Sequence, residues 1–526
     1  MSLRKTYSAL VEHVKKYKVL HSVSALAEWD ELVMMPPKAA ESRGLQSMVL
    51  SSIRHDMETD PKIGSYLSEL VDESNGTVKS DESFNEFEIS NILLIRREYI
   101  RNTKITKELV EKASELQSRG YHQWVVARKE SDWSKFADIM QEWINIRKEM
   151  ALLINPKGDV YDTLLDEYDP ELSSEKVEAV FNTIKKELIP LIQAIRNKVN
   201  QEPEKYSDDA LLKHITADVA AGDNEEGKFP IEKQVELSKQ VAQEIGFDFD
   251  SGRLDVSVHP FSTSFSINDL RITSRYDKNE FLNGLTSTIH ETGHSLYEGG
   301  LNKEYAYQPV HYALGMAIHE SQSLFWERHV GLNLAFWKKW YPVVESLFPY
   351  LKEKKLDVEN DVFRAVNTVV LNNFIRVESD ELTYPMHVIL RFEIEKALFN
   401  GSLSVADVPK VWNQKMKEYL GLEVPSDSKG ALQDVHWSSG SFGYFPTYSL
   451  GAIAAAQIAH SIPNHENLLA NNDYPAIKKW LNENIHNKGS LTLNSNALLK
   501  QVTGEELNPQ IYIKYLKEKY SKLYNL

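Results

Sequence analysis

Residues 281–300 read FLNGLTSTIHETGHSLYEGG. Phe281, Leu282, Leu285 and Ile289 recur at helical steps and lead into His290-Glu291-Thr292-Gly293-His294, an HExxH pattern. On a helix, positions i and i+4 face the same way, so both imidazoles can reach one ion. Glu291 is rotated by one position and can lie beside a water at the metal without ligating it. That geometry suits a general base, because zinc lowers the pKa of its water to about 7. A third protein ligand is then needed. The metzincin continuation is excluded, since Tyr297 and Gly300 stand where it requires glycine and histidine. A glutamate on a following helix is the other common solution. Residues 315–326, GMAIHESQSLFW, are helical in pattern and place His319 and Glu320 among apolar residues. By spacing alone, Glu327 fits as well as Glu320.

The composition narrows the chemistry further. Of 526 residues none is cysteine, which excludes disulfides, thiol nucleophiles and cysteine-ligated metals. Any metal must be held by His, Asp or Glu. Acidic residues number 76 against 60 basic ones, a net charge of −16. Such a chain is poorly suited to nucleic-acid backbones or anionic membranes. No GxSxG element is present, which argues against a serine hydrolase. The N-terminus, MSLRKTYSALVEHVKKYKVL, carries charges throughout and no apolar signal-peptide region. The longest apolar stretch, Leu450–Ala456, is too short to span a bilayer. A soluble cytoplasmic protein is expected.

Helical periodicity dominates the rest of the chain. Residues 5–30 place Tyr7, Leu10, Val11, Val14, Tyr17, Leu20 and Leu26 mostly at three- and four-residue steps. Residues 91–119, 174–200, 362–376, 386–398, 449–460 and 509–523 share that character. Pro190 is expected to kink or divide the stretch 174–200. Strand patterns are confined to Asp255–Ile267 and Leu270–Tyr276, which predicts a small sheet. Polar breaks near 72–82 and 201–228 read as surface loops. No repeat and no long Gly/Ser linker divides the chain. One large, mainly α domain over residues 1–526 is the simplest account.

Beyond the HExxH helix, a series of motifs resembles the carboxypeptidase Taq family of metallocarboxypeptidases. HETGHSLYEGG (290–300) is similar to that family's metal helix and its exit. His319-Glu320-Ser321 resembles the element that supplies the third ligand, which favours Glu320 over Glu327. His259-Pro260-Phe261 matches its HPF motif, and Asp269-Leu270-Arg271-Ile272-Thr273 its DxRxT motif. Ile375-Arg376-Val377-Glu378-Ser379-Asp380 resembles IRxxAD, with Ser379 in place of the usual alanine. Gly430-Ala431-Leu432-Gln433, Asp434-Val435-His436-Trp437 and the stretch 441–448 continue the likeness. Trp29-Asp30, Met35-Pro36, Arg43, Gln46 and residues 161–168 extend it toward the N-terminus. The most specific motifs fall between 259 and 457.

The resemblance implies a large helical, two-lobed fold with a long groove and a small β-sheet near the active site. It implies release of single C-terminal residues from peptides with broad specificity. Zinc is the expected metal, cobalt a substitute, and a homodimer the expected assembly. His290, His294 and Glu320 would hold the metal, and Glu291 would act as general base. His436 and Tyr444 are candidates for a second donor to the developing oxyanion. Recognition of a free carboxylate calls for a bidentate arginine. Arg376 is the candidate, together with Gln433, although an ion pair of Arg376 with Asp380 is the plain alternative. Arg271 and Asp269 could form a buried pair beneath the site, with His259 in an orienting role. His387 reads as a satisfied core histidine. The rival readings are a helical HExxH oligopeptidase and an inactive scaffold.

Overall fold

The first periodic stretch folds as one long helix, α1 (Leu3–Val33). Its Tyr7, Leu10, Val14 and Tyr17 form one stripe, which packs on Ile63, Leu67 and Leu70 of the helix Pro61–Leu70 and on Ile92 and Ile95 of the helix Glu86–Lys104. Leu26, expected in the same stripe, is instead exposed. The structure is a computed structural model that describes residues 2–79, 84–216 and 227–526. Helices account for most of it, beside one three-stranded sheet, which is the mainly α architecture expected. Among the described residues, no helix is long and apolar enough to cross a membrane.

Several element boundaries differ from expectation, each for a local reason. The stretch 91–119 is two helices, Glu86–Lys104 and Lys107–Glu130, because Thr106 caps the second by accepting the Leu109 N–H. Pro190 does not divide helix α2 (Ser174–Gln201). The buried face of Val177, Phe181, Ile184, Leu188, Leu191 and Ile195 holds that helix together across the missing hydrogen bond. The polar break at 201–228 contains two short helices, Pro203–Tyr206 and Asp208–Leu212, and 217–226 lie outside the described residues. Of the break at 72–82, residues 80–82 also lie outside them, and Val71 and Val78 pair in an isolated bridge.

The expected strand Asp255–Ile267 is two strands, β1 (Gly252–Val256) and β2 (Ser262–Ser266). Pro260 has no N–H for a ladder, and Thr273 ties the intervening turn by bonding Ser257 and the Phe261 N–H. β3 (Asp269–Ser274) lies between them, parallel to β1 and antiparallel to β2. Leu270 and Ile272 of β3 form an apolar cluster with Ala242 and Phe247. Helix α3 (Leu282–Gly299) packs along β2 and β3. It is followed by α4 (Gly315–Leu324), which widens into a π-helical turn over Phe325–Gly331.

The expected helix 362–376 is α-helical only at Phe363–Val366. Beyond it, side chains take the backbone donors that a helix would use. The Val369 N–H donates to the Tyr524 hydroxyl, the Val370 N–H to Asp380, and the Ile375 N–H to Asn373. The remaining helices fall where periodicity places them: α5 (Tyr384–Phe399), Pro446–Ser461 and Pro509–Tyr524.

The chain gathers into two compact units. The first contains Met1–Thr103, His214–Phe363 and Ile458–Glu506. The second contains Lys104–Lys213, Arg364–Gln457 and Leu507–Leu526. The HExxH helix and the sheet belong to the first, and Arg376, Gln433, His436 and Tyr444 to the second.

Candidate metal centre and arginine cluster

Helix α3 buries Leu285, Ile289 and Leu296, and this fixes which way His290 and His294 point. Gly293 brings α4 close. A Cβ at this position would lie 2.6 Å from the Gln322 carbonyl oxygen and 2.6 Å from the Ser323 Cα. Glycine costs about 1 kcal/mol in a helix, but here it allows backbone-to-backbone contact between α3 and α4. Glu320 of α4 thereby reaches the histidine pair. Its Oε2 lies 3.8 Å from His290 Nε2 and 3.5 Å from His294 Nε2. Donors around a tetrahedral zinc, at bond lengths of about 2.0–2.1 Å, are separated by roughly 3.3 Å. The three groups form the one cluster of metal-ligand geometry among the described residues, with ligand atoms within 4.8 Å of one another. Two imidazoles and a carboxylate, with no sulfur, fit a borderline divalent metal that keeps an open position.

Glu327 stands on the other side of His290. Its Oε2 accepts from His290 Nδ1 at 2.6 Å, which leaves Nε2 for the metal. The two glutamates that spacing could not separate thus face different nitrogens of the same ring. Burial alone would depress His290, yet Glu320 and Glu327 lift it to about 10. Burial would raise Glu320, and the two histidines hold it at about 2. Glu291 is buried beside this group, and burial pushes its carboxyl up to about 7, against a lowering hydrogen bond from Ser262 of β2.

Of the orienting candidates, Arg271 and Asp269 do pair, at 2.9 Å and 3.1 Å. The pair is not buried. Asp269 is 42% exposed, and the Arg271 guanidinium covers the Trp29 ring at 4.3 Å. His259 is exposed and bonds the Pro260 carbonyl.

In the second unit, Arg376 sits on a short 3₁₀ turn and is buried. It does not pair with Asp380, which instead accepts three backbone N–H groups and the Thr383 hydroxyl. Arg376 bonds Asp434 through Nε at 3.0 Å and the Tyr384 hydroxyl at 2.7 Å, and lies 4.7 Å from the Tyr448 ring centroid. The other Asp434 oxygen accepts from Arg391 Nε at 2.7 Å. Two buried guanidiniums therefore share one carboxylate, leaving one positive charge over. Gln433 locks this cluster. Its Oε1 accepts from the Arg376 backbone N–H and from Arg391, and its Nε2 donates to the Phe374 and Lys429 carbonyls. Its hydrogen-bonding capacity is spent inside the protein.

His436 bonds the Tyr448 hydroxyl at 3.2 Å, and Tyr444 lies edge-on to Tyr168. Both belong to loops clasped by Glu395 of α5, a residue that sequence reading missed. Glu395 accepts from Trp437 Nε1 at 2.7 Å, from the Gly443 N–H at 2.8 Å and from the Tyr161 hydroxyl at 2.8 Å. Gly443 has φ +85°, and a Cβ there would meet the Leu164 backbone at 2.8 Å, so the clasp needs glycine. Arg391 and Asp434 were likewise not given roles from sequence. His387 is a core histidine but not a satisfied one, since neither ring nitrogen has a partner among the described residues.

The family described as carboxypeptidase Taq (M32) metallopeptidase matches residues 9–520. The chain is 35% identical to carboxypeptidase 1 of Bacillus subtilis (strain 168), over 99% of each chain. It is 33% identical to thermostable carboxypeptidase 1 of Thermus thermophilus over the whole of both. Among solved structures, the M32 carboxypeptidase from Deinococcus radiodurans R1 superposes with a TM-score of 0.89 at 30% identity, covering 99% of this chain and 100% of the other. Trypanosoma cruzi metallocarboxypeptidase 1 gives 0.89 at 34% identity, covering 98% and 99%. The chain belongs to the carboxypeptidase Taq (M32) family and is a metallocarboxypeptidase, a peptide hydrolase that works with a divalent metal.

Proposed function

We propose that this enzyme holds zinc at His290, His294 and Glu320 and releases single C-terminal residues from peptides with broad specificity, using Glu291 as general base. One observation carries the reading: two imidazole Nε2 atoms and a carboxylate oxygen converge beside a buried glutamate. Bound there, the metal polarises the scissile carbonyl and acidifies the attacking water. Glu291 takes the proton from that water and delivers it to the leaving amine. Its burial beside the three proposed ligands supports both transfers. His436 and Tyr444 are the donors to the oxyanion, supported by the Glu395 clasp that fixes their loops.

Arg376 receives the substrate's terminal carboxylate. The surplus positive charge it shares with Arg391 and Asp434 supports this role, as does its planar fork. Gln433 acts through Arg376 by holding its backbone. The family resemblance supports cobalt as a working substitute, a homodimer and a cytoplasmic location. Light scattering on the purified protein tests the dimer.

The activity is tested with one peptide in free-acid and C-terminally amidated forms, followed by mass spectrometry. Stepwise loss of single C-terminal residues from the free acid alone is expected. Equal internal cleavage of both forms would overturn the reading.

A further inference from the structure

The two metal-site histidines are oriented by different means. His290 has the usual arrangement, with its Nδ1 bonded to the Glu327 carboxylate. His294 Nδ1 is buried and has no hydrogen-bond partner among the described residues. Its ring instead lies flat on the ring of His319, with centroids 4.3 Å apart and planes 17° apart.

His319 is itself fixed. Its Nε2 lies 3.0 Å from Glu298 Oε1, and the other Glu298 oxygen accepts from the Ser264 hydroxyl of β2 at 3.1 Å. A carboxylate only accepts, so the Nε2 proton is on His319. Tyr297 flanks the same ring at 5.9 Å. The supports also interlock the helices. α3 supplies His294 and, one turn on, Glu298, while α4 supplies His319 and the adjacent Glu320.

We propose that His319 is the positioning residue for His294, with a ring stack taking the place of the missing Nδ1 hydrogen bond. An imidazole aims Nε2 by its rotation about Cβ–Cγ. A bond at Nδ1 fixes that rotation, and so does a parallel ring, because tilting would cause overlap on one edge and a gap on the other. Metal binding draws electron density from His294. A neighbouring ring that donates its proton to a carboxylate is comparatively electron-rich, so the stack strengthens when the metal is held.

The inference rests on the metal reading of His290, His294 and Glu320, and the experiment separates the two. Zinc affinity of the full-length protein is measured by chelator competition, alongside the visible absorption of the cobalt(II) form. Wild-type binding that His290→Ala abolishes upholds the metal reading. Its absence overturns that reading and this inference together. With the metal reading upheld, His319→Ala is expected to weaken zinc binding by about 10–100-fold and to change the cobalt bands. His319→Phe combined with Glu298→Gln keeps a ring against His294 without stranding a carboxylate, and is expected to recover most of the affinity and the native bands. His319→Asn keeps a polar group toward Glu298 without a ring, and is expected to match the alanine variant. It is the working variant should alanine fail to fold. Wild-type affinity in His319→Asn, or a phenylalanine variant as weak as it, would overturn the stack.

Discussion

His290, His294 and Glu320 come from two helices that follow one another in the chain, whereas Arg376 and its carboxylate partner Asp434 stand 58 positions apart. The two clusters also carry opposite surpluses. Around the metal-site imidazoles stand four carboxylates, Glu291, Glu298, Glu320 and Glu327. Around Asp434 stand two buried guanidiniums. Burying unbalanced charge is costly, so each cluster favours a ligand of the opposite sign. The acidic one suits a cation and the basic one a carboxylate. The comparison teaches that the residual charge of a buried cluster carries more functional information than the net charge of −16 on the whole chain.

The largest expected effect tests the acidic cluster. Glu291→Gln removes the proposed base and leaves the three proposed ligands, so peptide hydrolysis is expected to fall by about 10²–10⁴-fold. Zinc content by elemental analysis should be unchanged. Undiminished hydrolysis would remove Glu291 from the chemistry.

The next tests the basic cluster. Asp434→Asn leaves two buried guanidiniums without their shared anion, and a loss of about 3–5 kcal/mol in urea unfolding is expected. A neutral result would mean that the surplus charge is already compensated, and the comparison above would fail.

A smaller effect concerns Glu395, which matches Glu291 in being raised by burial to about 7 but has three internal donors. Its folded value lies above the ordinary carboxyl value of 4.5. The folded state therefore favours the protonated form. The associated stability is complete below about pH 4.5 and is lost as pH rises through about 7, a difference of about 3 kcal/mol. Glu395→Gln should flatten the fall of the unfolding midpoint over that window. Identical pH slopes for the two proteins would contradict a buried titrating group there.

The metal centre was legible because helical phase relates residues four apart without any tertiary knowledge. Glu320 and Glu327 are seven apart, nearly two whole turns, so phase could not separate them. The family resemblance favoured Glu320, and the distances to His290 Nε2 and Nδ1 give the two carboxylates different places on the ring. Of the arginine cluster, Arg376 and Gln433 were legible through the family resemblance, but Arg391 and Glu395 were not, because they sit in a helix whose other buried residues, His387 apart, are apolar, and their partners are remote in sequence. The false helix over 362–376 failed for the same reason. The side chains that capture its donors, Asp380 and Tyr524, lie outside the window that a periodicity argument sees.

Gly293 carries one further consequence. At this position α3 and α4 touch through main-chain atoms, with no side chain between them to compress or repack. The spacing of the helices that carry His290, His294 and Glu320 is therefore set at this point by backbone contact. A single methyl group there would press on the Gln322 and Ser323 backbone and push the two helices apart.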